Sequence, residues 1–128
     1  MGQGLRQSPE SSPPASFLSS FDLSATLECG QCFRWEALPG GDYRFAAGNR
    51  YGNAGPSSLS SLWQDAGWRA YFDLERDYDA IRRELSALDP TLAKAAAFAP
   101  GIRILNQDPW EALCCFILSQ NNNIPRIK

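Results

Sequence analysis

The residues best suited to chemistry lie in segment 119–128, which has the sequence SQNNNIPRIK. A side-chain amide both donates and accepts hydrogen bonds, as does the edge of a nucleic-acid base, and the guanidinium of Arg126 adds a planar fork of donors. This combination is suited to reading a polar, planar ligand. A simpler interpretation stays open, because asparagines between two helices often only satisfy the backbone groups of the helix ends.

Two helices must position these side chains. The apolar run from Trp110 to Leu118 predicts a buried helix. Asparagine is a poor residue for a helix interior because its amide competes with the backbone for hydrogen bonds, so three in succession should end that helix. Asn123, with Pro125 in the following first turn, should cap a second helix. The sequence therefore predicts a helix, an amide-rich elbow (residues 120–123) and a second helix.

Three blocks of the sequence resemble those of a known enzyme family. Residues 29–35, CGQCFRW, are similar to an N-terminal signature G-Q-x-F-R-W, and residues 104–111, ILNQDPWE, to a segment that leads into the elbow. Residues 120–127, QNNNIPRI, are similar to the elbow and its flanking helices. The family is that of the 8-oxoguanine DNA glycosylases, base-excision enzymes of the helix-hairpin-helix superfamily. The blocks occur in the family's order, which makes the resemblance specific.

The resemblance implies roles for three residues. A glycosylase extrudes the damaged nucleotide, and in this family the first asparagine of the elbow and the arginine after it hold the cytosine left unpaired; these match Asn121 and Arg126. The family also uses a glycine carbonyl of its N-terminal signature to accept from the N7 proton that distinguishes 8-oxoguanine from guanine. Gly30 matches that glycine. Gly30 is also suited to a plain turn, and the two roles are compatible.

The resemblance assigns no catalytic residue to this chain. Bifunctional members use a lysine amine that forms a Schiff base, with an aspartate nearby, and both lie in a hairpin region after the elbow. The two lysines here, Lys94 and Lys128, match neither the position nor the context. We therefore expect the chain to be the N-terminal portion of a longer enzyme and to be inactive by itself.

Composition limits the possibilities further. With 128 residues, of which 44% are apolar, the chain has room for one small domain and at most the beginning of another. The absence of histidine excludes imidazole-based hydrolysis and His-containing zinc sites. A net charge of -2 is not typical of a strong nucleic-acid binder. Near the elbow there is a small positive excess, Arg103, Arg126 and Lys128 against Asp108 and Glu111.

The cysteines do not form a convincing metal site. Cys29 and Cys32 have the spacing of a metal or redox pair, but Cys114 and Cys115 are adjacent on a predicted helix and point in different directions. We expect no metal, no cofactor, and four cysteines that act as small buried hydrophobes in a reducing compartment. No apolar run approaches the ~20 residues of a membrane span, and no signal pattern is present, so the expected location is the cytoplasm, nucleoid-associated if bacterial.

The expected fold class is α+β, a small antiparallel sheet with packed helices, followed by the first helix of an all-α helix-hairpin-helix domain. Residues 1–16 predict a disordered tail, residues 17–100 the N-terminal α+β glycosylase domain, and residues 101–128 the truncated start of the helical domain. Alternation with period two predicts three strands, over residues 21–28, 33–37 and 43–46.

After these strands, the sheet is expected to be truncated or irregular, because residues 48–61 are rich in Gly, Asn and Ser. One helix is then predicted from Leu62 to Phe72, and aspartates open the next three, at Asp77, Asp89-Pro90 and Asp108-Pro109. In the last of these, Glu111 stands three residues after the cap, where it should reach back to complete a capping box.

The leading interpretation is a base-excision DNA glycosylase with AP lyase activity. It would act on double-stranded DNA containing 8-oxoguanine opposite cytosine, without membrane association, and as a monomer when full length. An alkylated-purine glycosylase is one alternative, although that branch lacks the triple-asparagine elbow and the G-Q-x-F-R-W block. The other alternative is a non-catalytic module for binding DNA or protein.

Overall fold

The computed structural model describes residues 12–128, so most of the predicted tail, residues 1–11, lies outside the described residues. Within that range a three-stranded sheet is packed by helices. The order is α1 (Ala15–Ser20), α2 (Leu23–Glu28), β1 (Trp35–Ala37), a 3-10 turn (Pro39–Gly41), β2 (Tyr43–Ala47), β3 (Arg50–Ala54), α3 (Leu59–Gln64), α4 (Ala66–Tyr71), α5 (Tyr78–Leu88), α6 (Pro90–Phe98), α7 (Pro109–Ser119) and α8 (Ile124–Ile127). The predicted α+β fold with a small antiparallel sheet is confirmed, and the domain boundaries stay predictions.

The sheet is an antiparallel meander in the order β1-β2-β3. A two-residue loop joins β2 to β3, and its first residue, Gly48, has a φ of 57°, which favours glycine. Phe45 lies opposite Gly52 in the register. The missing side chain at Gly52 leaves room for the Phe45 ring and for the indole of Trp68 from α4.

The core lies between this sheet and the helices. Phe45 meets Trp68 with ring centroids 4.9 Å apart and Phe72 at 5.4 Å, both edge to face. Phe72 is fully buried, and Leu27 and Leu62 are almost so. Burial of these side chains contributes hydrophobic stabilisation to the domain.

The predicted strand over residues 21–28 is wrong, because Leu23–Glu28 form helix α2. Asp22 caps this helix, since its carboxylate accepts from the Ala25 amide at 2.8 Å. Leu23, Thr26 and Leu27 are the buried positions, which is helical spacing. The alternation was misleading because Thr26 is polar by type yet fully buried.

The sheet is not truncated after Gly48, since Arg50–Ala54 form β3. This strand was missed because its sequence RYGNA has few β-favouring residues, and pairing with β2 holds it in place. The single helix predicted from Leu62 to Phe72 is two helices. Asp65 separates them and caps α4, accepting from the Gly67 amide at 2.9 Å.

The three predicted aspartate caps are confirmed: Asp77, Asp89 and Asp108 each accept from amides of the first turn that follows. Glu111 does not complete a capping box. Its carboxylate accepts instead from the Gly48 amide at 2.9 Å and pairs with an arginine near β1. Among the described helices, none has both the length and the apolar content to cross a bilayer.

Candidate nucleic-acid interface

The elbow begins where α7 ends at Ser119. Asn121 has a φ of 51°, in the left-handed region that asparagine tolerates better than most residues, and this turns the chain away from the helix axis. The amide of Asn122 donates to the carbonyl oxygen of Leu118 at 3.2 Å. One asparagine thus makes the bend, and the next satisfies a free carbonyl of the helix end.

Asn123 serves the other side of the elbow. Its side-chain oxygen accepts from the amide of Arg126 at 3.2 Å, so it is the N-cap of α8 as predicted. Its own amide donates to the side chain of Asn122 at 2.9 Å. Asn122 and Asn123 are therefore engaged in holding the two helix ends.

Asn121 and Arg126 differ from their neighbours. Both are exposed, and within residues 12–128 neither the side-chain amide of Asn121 nor the guanidinium of Arg126 has a hydrogen-bond or ion-pair partner. The structure places these two predicted site residues on the elbow and on the first turn of α8. Their donors and acceptors are available to a ligand.

Gly30 lies in the turn that follows α2 and is exposed, with a φ of 91°. A Cβ built on Gly30 would meet no heavy atom within 4 Å. The residue therefore has the turn conformation expected of glycine and open space beside its backbone. A flat ligand could approach the main chain here without a clash.

The neighbouring residue, Gln31, connects the first sequence block to the second. Its side-chain nitrogen donates to the carbonyl of Arg103 at 2.8 Å, and its side-chain oxygen accepts from the amide of Leu105 at 3.0 Å. The main-chain carbonyl of Gln31 accepts from the side chain of Gln107 at 2.7 Å. Sequence reasoning missed this role, because the partners of Gln31 lie 72 to 76 residues away and no local pattern indicates them.

A second connection joins the sheet to the first turn of α7. Arg34 donates to a carboxylate oxygen of Glu111 at 3.1 Å and to the carbonyl of Gly48 at 3.1 Å. At the far end of the elbow, the ammonium of Lys128 lies 3.2 Å from the ring centroid of Trp35 in β1. The three blocks that are separate in sequence thus form one contiguous structure.

The excess of positive charge predicted near the elbow is smaller at the protein surface than the residue types in the sequence suggest. Arg103 is only 2% exposed, and its guanidinium donates to the carbonyl of Asp73 at 3.1 Å and stacks over Tyr78 at 4.3 Å. Desolvation by burial lowers the pKa of Arg103. Arg103 is therefore a structural cation, and Arg126 and Lys128 supply the positive charge beside the elbow.

The cysteines are free thiols, and the expectation of burial is wrong for Cys29, which is exposed. Cys32 and Cys115 are buried, and Cys114 is half-buried. Desolvation raises the pKa of Cys32 to about 12, so this thiol stays protonated and is a poor nucleophile. Within residues 12–128 no group of three or more potential ligands is placed to hold a metal ion.

A cleft of about 360 Å³ lies elsewhere, between the start of α2, the 3-10 turn and Pro100-Gly101. Tyr43 and Arg82 are among its lining residues, and none of Gly30, Asn121 and Arg126 is. The predicted site residues are exposed and lie outside this cleft.

Gln31 and Arg34, which precede the first strand, are thus bonded to the segment that leads into α7 and to the first turn of α7, and α7 ends at the amide-rich elbow. This arrangement of sheet, helix and elbow is shared with a class of DNA glycosylases. The family described as 8-oxoguanine DNA glycosylase, N-terminal domain, matches residues 16–113. The chain belongs to this family.

Known proteins of this family are similar over most of the chain. The N-glycosylase/DNA lyase OGG1 of Arabidopsis thaliana is 30% identical over 117 residues, covering 82% of this chain and 32% of its own length. The 8-oxoguanine glycosylase/lyase of Clostridium acetobutylicum, solved with double-stranded DNA containing cytosine opposite 8-oxoguanine, is 41% identical with a TM-score of 0.73. MBOgg1, solved with a low-affinity DNA ligand, is 44% identical with a TM-score of 0.71. Each solved structure matches 85% of this chain, which spans 40% of that protein.

Proposed function

We propose that this chain carries the base-reading part of a DNA glycosylase/AP lyase that excises 8-oxoguanine opposite cytosine in base-excision repair. The observation that carries the proposal is the division of roles in the elbow. Asn122 and Asn123 bind the helix ends, whereas Asn121 and Arg126 present unpaired polar groups to solvent. Helix capping and the bend of the elbow account for Asn122, Asn123 and the backbone of Asn121, but they give no role to the side-chain amide of Asn121 or the guanidinium of Arg126.

The chemistry of the second pair fits cytosine. The amide oxygen of Asn121 can accept from the exocyclic amine of cytosine, and the guanidinium of Arg126 can donate to its ring nitrogen and carbonyl. Adenine presents a different order of donors and acceptors on the same edge. The pair therefore favours cytosine as the base opposite the lesion.

Gly30 is the proposed lesion reader. 8-Oxoguanine carries a proton on N7 where guanine has only a lone pair, so a main-chain carbonyl can accept from the damaged base alone. The open space beside Gly30 and its positive φ support a close approach of its backbone to a base.

The remaining parts of the proposal concern the whole enzyme. It binds double-stranded DNA as a monomer, in the cytoplasm or at the nucleoid, and needs no cofactor. The lysine and aspartate that the family uses for base removal and strand cleavage are not assigned to any residue of this chain.

The test replaces Arg126 or Asn121 by alanine in the protein encoded by the complete gene. Each lost base contact should lower the preference for cytosine over adenine opposite the lesion by ~1–3 kcal/mol, or roughly tenfold to a hundredfold in rate ratio. Single-turnover excision opposite each of the four bases measures this. Asn122→Ala is the matched control, since it removes an elbow amide whose bonds, to the Leu118 carbonyl and from the Asn123 amide, stay within the protein.

The outcomes separate three functions for the pair. A lower cytosine preference in both variants but not in Asn122→Ala supports base reading. An unchanged preference in both, with lower thermal stability, leaves only helix capping and removes the basis of the proposal. If Arg126→Ala lowers activity uniformly and makes its salt dependence shallower, Arg126 contacts phosphate instead of a base.

A further inference from the structure

Gln31 connects the two parts of the proposed base-reading surface, which are Gly30 and the elbow residues Asn121 and Arg126. It directly follows Gly30, and its carboxamide contacts segment 103–107, which leads into α7 and so to the elbow. The side chain bonds one carbonyl, that of Arg103, and one amide, that of Leu105, as a residue of a neighbouring strand would. Both ends of the carboxamide are used, so its orientation is fixed.

Segment 103–107 is itself held firmly in the fold. Arg103 and Leu105 are 2% and 7% exposed. The main-chain amide of Asn106 donates to the carbonyl of Tyr71 at 2.8 Å, and the Asn106 side chain donates to the carbonyl of Ala70 at 2.8 Å. Gln31 therefore ties Gly30 to the segment that leads into α7, and its two side-chain bonds add to those that hold this segment in place.

The same segment fixes where α7 starts. Asp108 caps the helix immediately after it, and Glu111 in the first turn binds Arg34 and the Gly48 amide. The helix then runs 11 residues to the elbow, about 16 Å at the rise of an α-helix. Asn121 follows the far end of this helix, so its position depends on where the helix starts.

We infer that Gln31 is a positioning residue that sets the separation between the Gly30 carbonyl and the elbow, so that reading of the lesion and reading of the opposite base are coupled. The inference rests on the proposed function of Gly30, Asn121 and Arg126. Both readers contact one base pair that has been opened, and misplacing either by about 1 Å can cost up to a hundredfold in rate.

The variant Gln31→Glu tests this inference in the protein encoded by the complete gene. It keeps the acceptor for the Leu105 amide, removes the donor to the Arg103 carbonyl and changes the side-chain volume very little. Ser58→Ala is the matched control, because it also removes a bond between a side chain and the main chain, to the Gly55 amide at 2.9 Å, at the other end of the sheet.

Two ratios are measured, each with the melting temperature. Lesion preference is the ratio of dissociation constants for duplexes with guanine and with 8-oxoguanine opposite cytosine. Cytosine preference is the ratio of single-turnover excision rates opposite cytosine and adenine. We expect Gln31→Glu to lower both ratios by roughly tenfold, and Ser58→Ala to lower neither at a comparable loss of stability.

A double-mutant cycle with Arg126→Ala tests the coupling. In the Arg126→Ala background, Gln31→Glu should change the cytosine preference by less than about twofold, because the contact it misplaces is already gone. The inference is overturned if the double variant loses cytosine preference by the product of the two single losses. It is also overturned if Gln31→Glu lowers the lesion preference and leaves the cytosine preference intact. A lower melting temperature with both ratios unchanged overturns it too.

Failure of the proposed function gives a different result. If the wild-type protein itself lacks lesion and cytosine preference, the proposed function fails and the inference falls with it. If the wild type has both preferences and Gln31→Glu keeps them, only the inference fails. If Gln31→Glu does not fold, Glu111→Gln is used instead, because it weakens the bonds of Glu111 to Arg34 and to the Gly48 amide that also position α7. The same double-mutant cycle and the same outcomes then apply.

Discussion

Two glycines of the chain share a backbone conformation but not a proposed role. Gly30 has a φ of 91° and Gly40 a φ of 84°, and a Cβ on either would meet no heavy atom within 4 Å. A substitution at each position therefore has the same cost in the folded state, about 1–2 kcal/mol for a side chain in the left-handed region. Substitutions at these two glycines therefore distinguish an effect on the turn conformation, expected at both, from an effect on the proposed base reading, expected only at Gly30.

We expect Gly30→Ala and Gly40→Ala to destabilise the protein by similar amounts, about 1–2 kcal/mol. Only Gly30→Ala should lower the preference for 8-oxoguanine over guanine, because its methyl group occupies the space through which a base approaches the main chain. Urea unfolding and binding to the two duplexes measure these effects. Equal lesion preferences in the two variants would show that Gly30 is a turn residue alone.

Local chemistry decided which single residues could be predicted from the sequence. Asn123 and Asp108 were found as caps because capping depends on residues within one helical turn. The Arg103 partner of Gln31 and the Glu111 partner of Arg34 lie 72 and 77 residues away, and no local pattern indicates them. The family resemblance supplied Gly30, Asn121 and Arg126, and their roles stay predictions.

At the scale of elements, the packing of strand β3 depends on the absence of a side chain at Gly52. A Cβ on Gly52 would come within 2.9 Å of the Trp68 indole and 2.8 Å of the Phe45 ring. Both rings are buried in the aromatic cluster, with Phe45 3% and Trp68 6% exposed. The packing of sheet against α4 thus requires glycine here, which explains a strand with so weak a propensity.

We expect Gly52→Ala to lower the free energy of unfolding by about 1–3 kcal/mol through overpacking. Asn53→Ala is the control, since Asn53 is exposed in the same strand and its loss should change stability by less than about 0.5 kcal/mol. Denaturant unfolding followed by tryptophan fluorescence measures both. A neutral Gly52→Ala would mean that the cluster can rearrange around an added methyl group.

Element prediction from the sequence failed where tertiary contacts override local pattern. Helix α2 was predicted as a strand because the buried Thr26 is polar, and its hydroxyl is satisfied by the Asp22 carbonyl at 2.7 Å and by the Arg103 amide at 3.1 Å. The second contact spans 77 residues. Helices α5 to α8 were predicted well because each begins with a clear cap.

At the scale of the whole molecule, α7 leaves a large apolar surface. Trp110 is 72% exposed, Phe116 62% and Ile117 60%, although the sequence predicted a buried helix. Contiguous apolar patches of this kind promote association between molecules. The helix is held to the rest of the domain mainly through its first turn and the buried Cys115.

We expect the 128-residue chain to associate with itself at micromolar concentration and to bind a hydrophobic dye. Replacing Phe116 and Ile117 by glutamine should reduce both effects, because the patch loses its largest exposed side chains. Phe98→Gln is the control, since Phe98 is 91% exposed on α6, away from that helix. Light scattering and dye fluorescence measure this, and equal association in the two variants would contradict the prediction.

The long-range hydrogen bonds of Gln31 also affect the order in which the domain folds during its synthesis. Its partners are synthesised 72 to 76 residues after it. At a synthesis rate of about 5–20 residues per second, these partners are added to the chain roughly 4 to 15 s after the Gly30 turn. The sheet and its aromatic cluster can form in that interval, since β1, β2 and β3 are close together in the chain. The proposed base-reading surface is therefore completed only after the sheet and its aromatic cluster have had time to form.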